Sequence, residues 1–134
     1  MKTINTTKAP QAIGPYVQAK VISNFVFTSG QIPLKADGSI VSGNFELECI
    51  QVLDNIREIL KAAGSSMANI IKLTIYLTDL ENFSILNKVF EDYWTFPSEL
   101  TSTLNPLPAR STVEVSRLPK NARVEIEAIG FINA

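Results

Sequence analysis

Histidine is absent from this 134-residue chain, and cysteine occurs once, at Cys49. The first absence removes the imidazole base, the Ser–His and Cys–His nucleophile pairs and the histidine-ligated zinc site. The second removes any internal disulfide and suits a reducing compartment. No apolar run approaches the roughly 18 residues that cross a bilayer. The first ten residues are polar and contain no hydrophobic stretch of the kind that marks a secretory signal, so a cytoplasmic location is expected. Excess charge of either sign is lacking too: 12 Lys and Arg face 13 Asp and Glu, the net charge is −1 and the pI is about 5.4. Without a basic stripe, nucleic acid is not an expected partner. Carboxylates, tyrosine, arginine, lysine, hydroxyls and backbone amides remain for chemistry, and neither metal nor cofactor is expected.

Hydrophobic residues make up 46% of the chain, enough for one domain spanning residues 1–134 with a buried core. Residues 16–22 and 25–28 are β-prone and flank Ser23-Asn24, which predicts a hairpin. Gly30 and Pro33 end the second strand, and Asp37-Gly38-Ser39 forms a turn. Cys49, Leu53, Ile56, Leu60 and Ala63 are spaced by four, three, four and three, giving one apolar helical stripe with Asn44 as N-cap and Gly64 as stop. Cys49 lies in that stripe and reads as a core residue. In residues 70–77, Ile71, Leu73, Ile75 and Leu77 share a buried strand face. Residues 81–94 form a second helix, with Phe83, Leu86, Phe90 and Tyr93 or Trp94 at helical spacing. A Pro/Ser/Thr loop over 95–107 leads to strands at 111–117 and 123–132, joined through Leu118-Pro119-Lys120-Asn121 as a hairpin.

The order β-β-(β)-α-β-α-β-β predicts an α/β mixed sheet with two helices packed on one face. The other face then meets water or a partner. Glu125 and Glu127 alternate with Val124, Ile126 and Ala128, so these carboxylates point away from the core; Arg123, Thr112, Glu114 and Ser116 are assigned to the same polar face. Arg110 stands at a loop-to-strand junction behind two prolines. Its planar fork matches a carboxylate in two parallel hydrogen bonds, though a structural ion pair with Glu114, Glu125 or Glu127 is an equal use. Glu125 could hold and deprotonate a water or simply be a surface residue. Gly14-Pro15 stiffens the presentation of Tyr16, whose phenol can bond a ligand or fill a core edge. Ser29-Gly30-Gln31 could offer bare backbone to a ligand.

Taken together, Ala12-Ile13-Gly14-Pro15-Tyr16, Thr28-Ser29-Gly30-Gln31-Ile32-Pro33, Pro108-Ala109-Arg110-Ser111, Arg117-Leu118-Pro119-Lys120 and Val124-Glu125-Ile126-Glu127-Ala128 resemble the RidA/YjgF family, also labelled L-PSP endoribonuclease or translation inhibitor. Leu53-Asp54-Asn55-Ile56 and Thr78-Asp79-Leu80 agree in order and register. The resemblance implies a chorismate-mutase-like fold, a homotrimer with clefts between subunits, and a cofactor-independent 2-iminobutanoate/2-iminopropanoate deaminase that protects pyridoxal-phosphate enzymes from reactive enamines. It implies that Arg110 holds the substrate carboxylate, Glu125 activates water and Tyr16 bonds the substrate. Ser29, Gly30, Ser111, Thr112 and Asn87 would contact the ligand. Thr112 stands where many deaminase members carry cysteine, which rules out a thiol there but keeps an amide and a hydroxyl. The 95–107 segment is longer than the family pattern and could reshape the pocket mouth. Two other readings share these residues: a non-catalytic 2-keto-acid-binding regulator built on Arg110, and a ribonuclease, against which the acidic pI and the missing histidine stand.

Overall fold

The computed structural model describes residues 1–94 and 106–133. Most of the 95–107 loop read from the sequence lies outside them. The strands are β1 (Lys2–Ile4), β2 (Ala19–Ile22), β3 (Phe25–Thr28), β4 (Ile70–Leu77), β5 (Ala109–Glu114) and β6 (Val124–Phe131), and the helices are α1 (Phe45–Ala62) and α2 (Phe83–Tyr93). They form one six-stranded sheet in the order β1-β2-β3-β6-β4-β5, antiparallel throughout except for β4 with β5. This mixed sheet with its two helices is the chorismate-mutase-like fold.

The β2–β3 hairpin closes through Ser23-Asn24, with Ser23 in the left-handed region at φ 50°. α1 begins at Asn44, whose side-chain oxygen accepts from the Leu47 amide at 3.0 Å. Gly64 follows it at φ 86°, a conformation that glycine adopts without strain. Cys49, Leu53, Ile56 and Leu60 of the predicted apolar stripe are buried and Ala63 is half-buried, and buried Val52 and Ile59 join them. Full burial of each such side chain contributes about 1.5–3 kcal/mol. The opposing layer comes from Val26, Leu73, Ile75, Leu77, Val124 and Ile126, and α2 adds Leu86, Val89 and Phe90. Arg57 donates to the Tyr93 hydroxyl at 3.0 Å, and that hydroxyl donates to Asp54 at 2.7 Å, tying α1 to α2.

Four sequence expectations are corrected. Residues 118–121 are not a hairpin turn, because β5 and β6 do not pair. β5 pairs in parallel with β4 at the sheet edge, and β6 fills the slot between β3 and β4. Ile71 is exposed: a register shift between Ile70 and Lys72 turns Ile70 inward instead. Strand β1 was not foreseen. Arg123 precedes β6 and does not join the carboxylate face; it turns back to α1, donating through Nε and Nη2 to the two carboxylate oxygens of buried Glu48, with its guanidinium over the Phe45 ring. Among the described residues no helix is long and apolar enough to cross a membrane.

Candidate active site

The pairing register decides which candidate side chains can meet. Leu73, Ile75 and Leu77 are buried beneath the helices, and their β5 partners are Arg110, Thr112 and Glu114. Those three residues therefore point to the helix side. On β6, Val124, Ile126 and Ala128 are buried while Glu125 and Glu127 alternate with them, so the two carboxylates stand on the open side. Thr112 and Glu114 thus leave the polar face assigned to them above, and Ser111, paired with Thr74, takes their place there. Arg110 and Glu125 lie on opposite faces of one sheet.

On the helix side, Arg110 is cradled by α2. Phe83, Asn87 and Phe90 recur at spacings of four and three, which brings them to one helix face. The Arg110 guanidinium carbon lies 5.2 Å from the Phe83 ring centre and 5.1 Å from that of Phe90, and Nη2 donates to Asn87 Oδ1 at 2.6 Å. Burial lowers the guanidinium pKa from its ordinary value, yet arginine stays charged. Among the described residues no carboxylate pairs with it, since Glu114 accepts instead from the Leu80 amide at 3.0 Å. A cleft of about 410 Å³ opens here between Asn87, Phe90, Glu91, Leu107, Pro108 and Arg110. The Thr112 hydroxyl, on the same face two residues on, is buried and has no partner among the described residues.

On the open side, a cleft of about 390 Å³ runs between Tyr16, Ser29, Gly30, Ile32, Pro119, Glu125 and Glu127. The Glu125 carboxylate lies against the α-carbon of Gly30, in space that any β-carbon would fill. Gln31 is bonded to Ile126 in both directions, at 2.8 and 3.0 Å, which locks Gly30 beside β6. Burial first, and then the nearby charge of Glu127, raise the Glu125 pKa above the ordinary glutamate value. Tyr16 is 48% exposed at the cleft mouth, and its hydroxyl accepts from the Ile13 amide at 3.4 Å. Ser29 is committed to the scaffold: its hydroxyl donates to the Val17 carbonyl at 2.5 Å.

Three supporting residues escaped the sequence reading. Buried Gln18 accepts from the Thr6 amide at 2.7 Å and donates to the Thr6 and Pro10 carbonyls at 3.0 Å, anchoring the loop that carries Tyr16. Buried Asn55 donates to the Ile32 and Leu34 carbonyls at 3.2 and 2.8 Å, holding the segment after Gly30 against α1. Tyr76, opposite Glu125 in the β4–β6 register, donates to Glu127 at 2.8 Å. Gln18 stands in the polar-rich loop before β2, where its residue type gives little hint of what it binds. Only Asn55, inside the apolar stretch of α1, carried a signal: a polar side chain there requires a buried partner.

Fold and site together define a small α/β protein with a cleft built on Arg110 on one sheet face and a cleft built on Glu125 and Glu127 on the other. The family described as Endoribonuclease L-PSP matches residues 6–132, and the chain belongs to this family, that of the RidA/YjgF proteins. It is 44% identical over 128 residues to the 2-iminobutanoate/2-iminopropanoate deaminase of Escherichia coli K12, covering 96% of this chain and 95% of that one. The crystal structure of the Escherichia coli YjgF gene product superposes with a TM-score of 0.87 at 40% identity, over 99% of this chain and 100% of the other. That of Escherichia coli TdcF with bound serine gives the same TM-score and identity over the same shares.

Proposed function

We propose that this chain hydrolyses small 2-imino acids, such as 2-iminobutanoate and 2-iminopropanoate, to 2-keto acids and ammonia, and so protects pyridoxal-phosphate enzymes from reactive enamines. The observation that carries this reading is the separation of the two half-sites. On this reading Arg110 is the fork that binds the carboxylate and Glu125 the base; the sheet stands between them, so the reading requires a second copy to bring them together. The open face offers the means. Ile22, Phe25, Phe27, Val113 and Phe131 are all substantially exposed there, an apolar surface that a lone small protein rarely leaves uncovered. A homotrimer with each cleft shared by two neighbours covers it and joins Arg110 of one chain to Glu125 of the next.

In such a cleft Arg110, steadied by Asn87, holds the substrate carboxylate through its fork. Thr112 lends its amide or its hydroxyl, which has no partner among the described residues, and Ser111 and Gly30 line the approach. Tyr16 closes the outer end, and Ser29 keeps its loop in place. Glu125 orients a water and takes a proton from it as the oxygen bonds to the protonated imine carbon. The resulting carbinolamine receives that proton on nitrogen, Glu125 takes the hydroxyl proton as the carbon–nitrogen bond breaks and the carbonyl forms, and ammonia leaves the keto acid behind. The imine carbon is already electrophilic, so orientation and one proton transfer supply most of what is needed. The negative charge of Glu125 also steadies the iminium. The relative named as an imino-acid deaminase and the relative solved with serine support a site for a small amino-acid skeleton.

The test is a coupled assay. An amino-acid oxidase releases the imine in situ, semicarbazide competes for it, and keto-acid formation is followed. Wild type is expected to outcompete semicarbazide and Arg110→Ala to have no effect. A wild-type protein that binds 2-ketobutyrate but does not speed hydrolysis would replace this reading with the keto-acid regulator. The ribonuclease reading draws on the family description; the acidic pI of about 5.4 and the absence of histidine stand against it.

A further inference from the structure

We propose that Glu127, held in place by Tyr76, is a positioning residue that acts through Glu125, its fixed negative charge making Glu125 the stronger base toward water. This rests on the reading of Glu125 as the water-activating group. Glu127 is two residues along β6 from Glu125, on the same sheet face, and both line the same cleft. Tyr76 faces Glu125 directly across the β4–β6 pair, and its hydroxyl reaches diagonally to Glu127 Oε1 at 2.8 Å. That bond stops the Glu127 carboxylate from swinging out to solvent, where its field at Glu125 would be screened.

The surroundings leave Glu127 as the charge that matters. From β4, Tyr76 faces the pair, with Thr74 beside it and Lys72 two residues further toward the strand's start. From the loop after β1 comes Tyr16, and from β6 only Glu127. The segment after β3 presents Ser29 and Gly30, which carry no charge. Among the described residues Glu127 is the charged neighbour that perturbs Glu125, and it acts in the same direction as burial. The Tyr76 phenol keeps its proton firmly, its pKa raised first by the bond to Glu127 and then by burial, so it serves as a fixed donor. A base that is too weak leaves water unactivated, and an adjacent like charge is the simplest way to strengthen a carboxylate.

The experiment follows the Glu125 side-chain carboxyl by carbon-13 NMR titration in wild type, Glu127→Gln and Tyr76→Phe, alongside the pH profile of kcat/KM for imine hydrolysis. In Glu127→Gln the Glu125 midpoint is expected to fall toward the ordinary glutamate value, and the acid limb of kcat/KM to move with it while KM stays unchanged. Tyr76→Phe is expected to shift both in the same direction but by less. Glu127→Asp, which keeps the charge, is expected to retain most of the wild-type midpoint, and it supplies the comparison if the glutamine variant fails to fold. A Glu125 midpoint that is the same in all the variants overturns the proposal. If the midpoint moves but wild type hydrolyses no imine, the coupling stands and the deaminase reading falls.

Discussion

Replacing Gly30 by alanine isolates the role of Glu125 without touching its chemistry. The backbone at Gly30 is not in the left-handed region, so alanine fits the chain. The new β-carbon would sit 2.9 Å from Glu125 Cδ and 3.1 Å from Cγ, and still closer to the carboxylate oxygen. All these atoms belong to one flexible side chain, so the collision is relieved by rotating Glu125 away. An off-rotamer side chain costs about 0.5–1.5 kcal/mol, and the melting temperature should therefore fall only slightly. Catalysis should suffer more, because a displacement on the order of 1 Å can lower a rate roughly 100-fold. That corresponds to about 2.7 kcal/mol in the barrier. The coupled imine assay reads the rate, and thermal unfolding reads the fold. The decisive control is the same substitution in a Glu125→Ala background. There the collision partner is gone, so Gly30→Ala should cause no further fall in melting temperature, a non-additivity expected only of groups in contact. A Gly30→Ala variant with wild-type turnover would refute the reasoning, as would a double variant whose falls in melting temperature simply add.

Asn87→Ala removes the acceptor of a hydrogen bond from a charged group, worth about 1.5–3 kcal/mol, and should raise KM or the Kd for 2-ketobutyrate roughly 10-fold or more. The pKa of Glu125 is raised in the fold, so the folded chain holds more protons than the unfolded one between the ordinary glutamate value and the raised one. Stability should therefore fall as pH rises through that window and level off above it. Urea unfolding against pH should show this dependence in wild type and lose it in Glu125→Gln, which should be the more stable of the two near neutrality. Cys49 is fully buried, with a thiol pKa pushed up to about 12 by burial and the charge of Glu48. It should resist alkylation in the native protein and react only on unfolding, as mass spectrometry would show. Leu53→Ala opens a cavity under α1 and should cost about 2–5 kcal/mol in urea unfolding.

The helices were legible because their signals are local. The spacing from Cys49 to Ala63, the cap at Asn44 and the glycine at 64 act within one or two turns, and all appear where expected. The faces of β6 were legible for the same reason, since valine, isoleucine and alanine alternate with glutamate without interruption. β5 misled because Val113, with Val115 just beyond the strand, suggests the inner face, while Arg110 and Thr112 occupy it. An edge strand is covered only in part, and α2 provides two phenyl rings and an amide that can take a guanidinium. Strand order was also out of reach. A short link between β5 and β6 suggests a hairpin, but β6 runs between β3 and β4 because that slot buries both neighbours. The inward turn of Ile70 rests on a bulge that no alternation pattern contains. The candidate residues themselves were named from the motifs, yet their division between two sheet faces depends on register and had no local signature.

That division is the central claim, and mixing subunits tests it most directly. Arg110→Ala and Glu125→Ala variants, each inactive alone, are unfolded together, refolded and assayed for imine hydrolysis. If each cleft joins Arg110 of one chain to Glu125 of its neighbour, random assembly restores roughly a quarter of wild-type activity, because that fraction of clefts receives both intact residues. A refolded mixture as inactive as its two components would contradict the account.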